Sequence, residues 1–253
     1  MIRRVASLVI WAGIGLLVLL WLPLVAIVRL IDRDAVRYRT GRWFRRLGLA
    51  ISCINPNWNV SISGQEGVND RHPYVMVSNH LSNADIPVIS ILPWEMKWVA
   101  KRELFSIPLL GWMMSLSGDI PVDRHGISSN VSTVRKAAWY LDSGVSVIFF
   151  PEGTRSRSGK LSRFSRGAFE LAVKKQVPLL PLVLDGTSGC LPKGTWVFEP
   201  DVYANLKVLE PVSTKGCNEE DILRLMEEVR AKMAEQLMQW RGASREEVDA
   251  MAG

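Results

Sequence analysis

"YVMVSNHLSNADIP", residues 74 to 87, decides the fold. "YVMV" is a short apolar run of the kind a buried strand shows, and "SNAD" supplies the hydroxyl, amide and carboxylate groups that satisfy free N–H groups where a helix begins. A strand ending near Ser78 and a helix beginning near Ser82 set the pattern. Outward from this stretch the alternation repeats. "NPNWNVSISG" reads as a turn and an alternating strand, and "MKWVA" (96–100), "VSVIFF" (145–150), "LLPLVL" (179–184) and "NLKVLE" (205–210) read as further strands. Helical stretches fall between them. Residues 128–144 start on hydroxyl and amide caps and stop at Gly144, while residues 165–176 are closed by Pro178. The last helix, 218–240, carries acids in its first turn and an apolar stripe of Ile222, Leu225, Met226, Val229, Met233 and Leu237. Strands separated by helices predict an α/β fold, a mixed and partly parallel sheet flanked by helices. No internal repeat or low-complexity tract interrupts it.

The chain has 253 residues and a formal charge of +6, but the charge is local. The first fifty residues hold nine arginines, no lysine and only Asp32 and Asp34, a net +7, which leaves the remainder close to neutral. Residues 5–28, "VASLVIWAGIGLLVLLWLPLVAIV", carry no charge and are long enough to cross a hydrocarbon core of roughly 30 Å as a helix. No small-residue cleavage site follows, so the segment is expected to be retained. Pro23 leaves two forms open, a spanning helix and a kinked one that returns to the same leaflet. From Asp34 to Ile54, arginines alternate with Tyr38, Trp43, Phe44, Leu47 and Ile51, as in a helix lying at headgroup depth. A domain-packing helix with a solvated basic face shows the same periodicity. The expected organisation is a membrane-anchoring helical segment, 1–54, and an α/β domain, 55–253. By the positive-inside rule the domain faces the cytoplasm, at the inner (plasma) membrane. Apolar residues between the arginines argue against nucleic acid as the partner. Cys53, Cys190 and Cys217 form no metal-ligand or redox spacing, and His72 and His125 have no acidic cluster beside them.

Two constellations can carry chemistry. His80 stands where the first strand stops, five residues before Asp85. A neutral imidazole, with an ordinary pKa of about 6.5, accepts a proton near neutral pH, and a carboxylate fixes its tautomer and stabilises the imidazolium. The carboxyl ends of strands are also where open α/β sheets bind ligands. The second constellation is "FFPEGTRSRSGKLSRFSRG", a buried strand running into Pro151, Glu152, Gly153, Thr154 and Arg155, with Arg157, Lys160, Arg163 and Arg166 behind. Such a turn suits an anion, phosphate above all. Glu152 would repel an anion unless it holds an arginine or accepts a hydroxyl proton from the ligand. There is no G-x-S-x-G elbow, reactive-cysteine signature or P-loop. A histidine base without a protein nucleophile suggests attack by the substrate's own hydroxyl.

In this order, "NHLSNAD" (79–85), "KRELFSIPLLGW" (101–112) with "GDIPVDR" (118–124), "FPEGTRS" (150–156) and "VPLLPLV" (177–183) resemble the four blocks of the lysophosphatidic acid acyltransferase family, the NHxxxxD glycerolipid acyltransferases. The resemblance implies His80 as general base and Asp85 as its orienting partner. It further implies that Lys101, Glu152, Gly153, Thr154 and Arg155 hold the glycerol phosphate acceptor, with Lys101 and Arg155, and then Arg124, on the phosphate. Residues 177–182 are associated with the acyl pocket or with packing around it. "RFSRG" (163–167) departs from the family, having Ser165 where many members have a second lysine. The implied reaction moves an acyl chain from acyl-CoA or acyl carrier protein, as substrate and without a cofactor, to the sn-2 hydroxyl of lysophosphatidic acid, giving phosphatidic acid beside a phospholipid bilayer. Another lysolipid acceptor, or an inactive membrane-tethered lipid-binding protein, are the alternatives.

Overall fold

A computed structural model describes residues 1–69, 72–123, 127–192 and 194–251. In chain order the helices and strands are α1 (Ile2–Ile31), α2 (Tyr38–Ser52), β1 (Trp58–Ser63), β2 (Val75–Ser78), α3 (Asp85–Ile89), β3 (Met96–Lys101), α4 (Leu110–Ser117), β4 (Ile120–Val122), α5 (Ile127–Asp142), β5 (Ser146–Phe149), α6 (Gly167–Lys175), β6 (Leu179–Asp185), β7 (Val202–Val208), α7 (Ile222–Arg241) and α8 (Arg245–Val248). The expected α/β class, a mixed and partly parallel sheet with flanking helices and an N-terminal apolar helix, is what the chain forms. Its contacts divide into two units. One gathers Met1–Pro56 with Ile86–Ile148; the other gathers Asn57–Asn69, Tyr74–Asp85 and the chain from Phe149 onward.

The second unit carries four strands in the order β1-β7-β6-β2. β2 and β6 are parallel, with Ser78 opposite Leu182, β1 and β7 are parallel, and only β6 and β7 run antiparallel. β2 is buried along its whole length, as are Leu179 to Leu184 of β6, which is why both read as continuous apolar runs. α7 lies against β6 and α6 against β2. The α7 stripe seals this core: Ile222, Leu225, Val229, Met233 and Leu237 are buried, each worth about 1.5–3 kcal/mol when withdrawn from water. An Asn218–Asp221 capping box starts the helix region, and Gly242, in the left-handed conformation, ends it.

The first unit carries three parallel strands in the order β5-β3-β4. α1 is unbroken through Pro23 and packs on α2 and α4 through Val25, Phe44, Leu47, Met113 and Met114. The Trp21 indole N–H also donates to the Trp43 carbonyl at 2.8 Å. α2 thus has a protein-packed face, and the arginines on it and just before it divide accordingly. Arg33, Arg39 and Arg46 are exposed. Arg37 instead donates to the Ser115 and Leu116 carbonyls at the end of α4, and Arg45 is buried against Asp119 at 2.5 Å. These two guanidinium groups are therefore spent on protein groups, as in the domain-packing reading of this stretch. A buried guanidinium needs a carboxylate, and Asp119 supplies one.

Around that pair lies a buried polar network. Lys97 spends its three donors on Glu95 Oε1 at 2.9 Å and on the Ser117 and Arg37 carbonyls at 2.8 and 3.3 Å. Asp119 also accepts from the Trp98 amide and the Ser117 hydroxyl. Gly41 makes room for this arrangement, since a Cβ there would stand 1.8 Å from Glu95 Oε1. In an ordinary helix interior Gly→Ala stabilises by about 1 kcal/mol. Here Gly41→Ala is expected to destabilise, by about 1–3 kcal/mol as an overpacked site does. Denaturant unfolding measures the sign, and an unchanged or raised midpoint would contradict the account of the network.

Candidate active site

β2 ends at Ser78, and Asn79 continues its pairing with a side chain. Asn79 Nδ2 donates to the Leu184 carbonyl and Asn79 Oδ1 accepts from the Leu184 amide, both at 2.8 Å. A primary amide carries one acceptor and a donor group, as a peptide group does, so the ladder is satisfied while the main chain turns away. His80 is thereby set just beyond the carboxyl end of β2.

Asp85, the first residue of α3, then folds back on it. Its Oδ2 atom accepts from His80 Nδ1 at 2.7 Å, from the Leu81 amide at 2.7 Å and from the Ser82 amide at 2.9 Å. The carboxylate is fully buried, and the Ser82 carbonyl accepts from the Asp85 amide at 3.2 Å, closing the turn. With an acceptor oxygen facing Nδ1, the neutral imidazole holds its proton there, which leaves the Nε2 lone pair as the basic site. The His80 side chain is 17% exposed, and its ring stacks on Phe150 with centroids 4.1 Å apart.

The backbone of His80 is held from a distant part of the chain. Its amide donates to Glu152 Oε1 at 2.8 Å, and its carbonyl accepts from the Ser156 amide at 2.8 Å. Glu152 Oε2 accepts from the Ser162 amide, also at 2.8 Å. The side chain therefore neither holds an arginine nor faces outward for a ligand proton, as the sequence suggested; both oxygens are engaged by backbone amides. Burial pushes the Glu152 carboxyl above the usual carboxylate range, and those two amide bonds, with the nearby His80, pull it back. Between its anchors the loop is tight. The Gly153 amide donates to the Phe150 carbonyl at 2.9 Å, with Gly153 at φ 68°, where a side chain would be strained. Thr154 is exposed, and half-buried Arg155 makes no ion pair or hydrogen bond to another described residue.

His80, Asp85, Glu152, Gly153, Thr154 and Arg155 all belong to the second unit. Lys101 is exposed at the end of β3 in the first, and Arg124 lies outside the described residues. Residues 179–182 of the "VPLLPL" stretch are the buried body of β6. The anchoring roles of Asn79, Ser156 and Ser162 were not read from the sequence. Asn79 carried one signal, a residue with both donor and acceptor placed directly after a buried strand; the serines act through main-chain atoms and carried none.

The Acyltransferase family model matches residues 59–185, half of the chain, and spans the dyad and the Glu152 loop. The chain belongs to the acyltransferase family. Among its relatives is a chloroplastic 1-acyl-sn-glycerol-3-phosphate acyltransferase of Brassica napus, 36% identical over 185 residues, or 73% of this chain and 54% of the relative. The alpha form from Mus musculus is 36% identical over 176 residues, covering 69% and 62%. The chain thus spans between about half and two thirds of the length of these curated relatives. The crystal structure of the 1-acyl-sn-glycerophosphate (LPA) acyltransferase of Thermotoga maritima is similar at a TM-score of 0.75 and 28% identity, covering 92% of this chain and 97% of that one. The resemblance drawn from the four sequence blocks is thereby borne out.

The geometry of Asp85 separates two substitutions of this acyltransferase-family protein. Asp85→Asn keeps an oxygen for the three donors, whereas Asp85→Ala strands the Leu81 and Ser82 amides and the imidazole N–H. Each stranded buried donor costs about 1–3 kcal/mol. Asp85→Ala is therefore expected to unfold at clearly lower denaturant than Asp85→Asn, and coincident midpoints would contradict the triple-acceptor geometry.

Proposed function

We propose that the protein transfers a fatty acyl chain from a thioester, acyl-CoA or acyl carrier protein, to the sn-2 hydroxyl of lysophosphatidic acid. The observation that carries this reading is the 2.7 Å bond between His80 Nδ1 and buried Asp85, which leaves a basic Nε2 on a partly exposed side chain in a chain of this family. The names of the relatives, 1-acyl-sn-glycerol-3-phosphate acyltransferases, support the choice of acceptor.

Nε2 takes the proton of the acceptor hydroxyl as its oxygen bonds to the thioester carbonyl carbon. The tetrahedral oxyanion collapses, the carbon–sulfur bond breaks, and the departing thiolate takes the proton back from the imidazolium. Asp85 stabilises that imidazolium through the Nδ1 bond. Arg155 receives the phosphate of the acceptor on the turn that Gly153 and Thr154 form, and Lys101 and Arg124 keep only the phosphate role that the family resemblance implies. No cofactor is required, since the thioester brings its own leaving group.

Membrane docking fits amphiphilic substrates. α1 has a mean hydropathy of 2.6 over its most apolar window, of which 11% is buried, and exposed Arg33, Arg39 and Arg46 follow it in the chain. That arrangement suits insertion beside anionic headgroups of the cytoplasmic leaflet.

Thiol release from long-chain acyl-CoA and from acyl carrier protein, with and without lysophosphatidic acid, tests the reading. Acceptor-dependent release is expected, and His80→Ala should lose about 10²–10⁴ of it. Arg155→Ala should raise the KM of phosphate-bearing acceptors about tenfold or more while sparing the donor KM. Release that ignores the acceptor, or survives in His80→Ala, would overturn the proposal.

A further inference from the structure

We propose that the buried Arg230–Asp249 pair, from the C-terminal region, is a positioning device that sets the Glu152–Ser162 loop against His80 for acceptor binding; the acceptor half of this inference rests on the acyl-transfer reading above. Arg230 sits on α7, next to Val229 of the apolar stripe, and is 5% exposed although it is charged. A guanidinium is withdrawn from water at this cost only where its donors are used, and here they reach across the fold. Nε donates to Asp249 Oδ2 at 2.9 Å, and Nη2 donates to Asp249 Oδ1. The same fork then donates to two consecutive loop carbonyls, from Nη2 to Leu161 at 3.1 Å and from Nη1 to Ser162 at 2.6 Å.

Asp249 fixes the fork from behind. It is 2% exposed, accepts from the Met251 amide at 2.9 Å and lies one residue after α8. The chain around it also grips the loop directly. The Leu161 amide donates to the Val248 carbonyl at 2.8 Å, and the Ala250 amide donates to the Leu161 carbonyl at 3.0 Å. From Ser162 the connection to the dyad is short: the Ser162 amide holds Glu152 Oε2, and Glu152 Oε1 holds the His80 amide. A displacement of Ser162 is thus passed to both ends of the turn that presents Gly153, Thr154 and Arg155. Arg230 and Asp249 have no polar contact with His80 or Asp85 themselves among the described residues, which makes them positioning residues. Only arginine has the planar fork to grip a carboxylate and two carbonyls together; a lysine ammonium has one nitrogen.

Arg230→Lys keeps a positive charge beside Asp249 and tests the fork. Arg230→Met with Asp249→Leu removes both charges together and tests the pair without leaving a buried ion unpaired. Amide hydrogen exchange on the detergent-solubilised full chain is the first readout. Residues 153–162 are expected to exchange about tenfold faster or more in either variant, with β6 and β7 unchanged. The second readout is kinetic: the acceptor KM should rise about fivefold or more while the donor KM stays within about twofold. Loop exchange equal to wild type overturns the proposal, as does a folded variant whose two KM values are unchanged or rise together. If the wild-type protein shows no acceptor-dependent thiol release, the functional reading fails by itself, and loop exchange still decides whether the pair positions the loop.

Discussion

The site depends on a single buried oxygen, Asp85 Oδ2, which accepts the His80 imidazole and the Leu81 and Ser82 amides together. A carboxylate with no exposed surface is tolerable only when its charge is met by donors, and three converge on one atom. The two amides hold the carboxylate; the carboxylate in turn holds the ring. The spacing of five residues follows from this, because the chain must leave β2 at Ser78, present His80 and complete a turn before Asp85 returns to its own amides. The remaining anchors keep that turn in place. Asn79 ties its start to β6, while Glu152 and Ser156 hold the amide and carbonyl of His80.

The first unit solves a different problem with the same chemistry. Its α1–α2–α4 core is apolar, yet Arg45, Glu95, Lys97 and Asp119 are buried in that unit, two cations and two anions. Removing either partner would leave a charge stranded, which explains why every donor of Lys97 is spent and why a glycine stands at position 41. Part of the basic character of the N-terminal fifty residues is thus structural. The exposed share, Arg3, Arg4, Arg33, Arg39 and Arg46, is what remains for a surface.

Local features were legible in the sequence and distant ones were not. The His80–Asp85 pair could be read because both partners lie in one turn. β2, β3, β5 and β6 could be read because continuous apolar runs identify buried strands, and α7 because its stripe keeps helical period. β4 was missed, since three residues centred on Pro121 give no periodicity to detect. α4 was missed because Pro108 stands just before its N-cap, Leu109, and Gly111 lies in its first turn, where close contact with the Phe105 carbonyl explains the glycine. The backbone partners of Glu152, 72 and 10 positions away, were too distant in the chain to be read from it. Arg230 was invisible: a charge beside an apolar stripe reads as a solvated face until Asp249, 19 residues on, is seen to fold back over it. Amphipathic periodicity likewise did not distinguish Arg45, which is buried, from Arg46, which is exposed.

A base that works through a buried carboxylate can be tested by removing the charge without moving the atoms. The measurement is the single-turnover rate of acyl transfer to lysophosphatidic acid in wild type and in Asp85→Asn, with acceptor affinity determined in parallel. The expected result is a rate about 10²-fold lower or more at unchanged affinity, because the neutral amide still accepts the three donors but no longer stabilises the imidazolium. An Asp85→Asn protein that transfers at the wild-type rate would contradict the role assigned to the dyad.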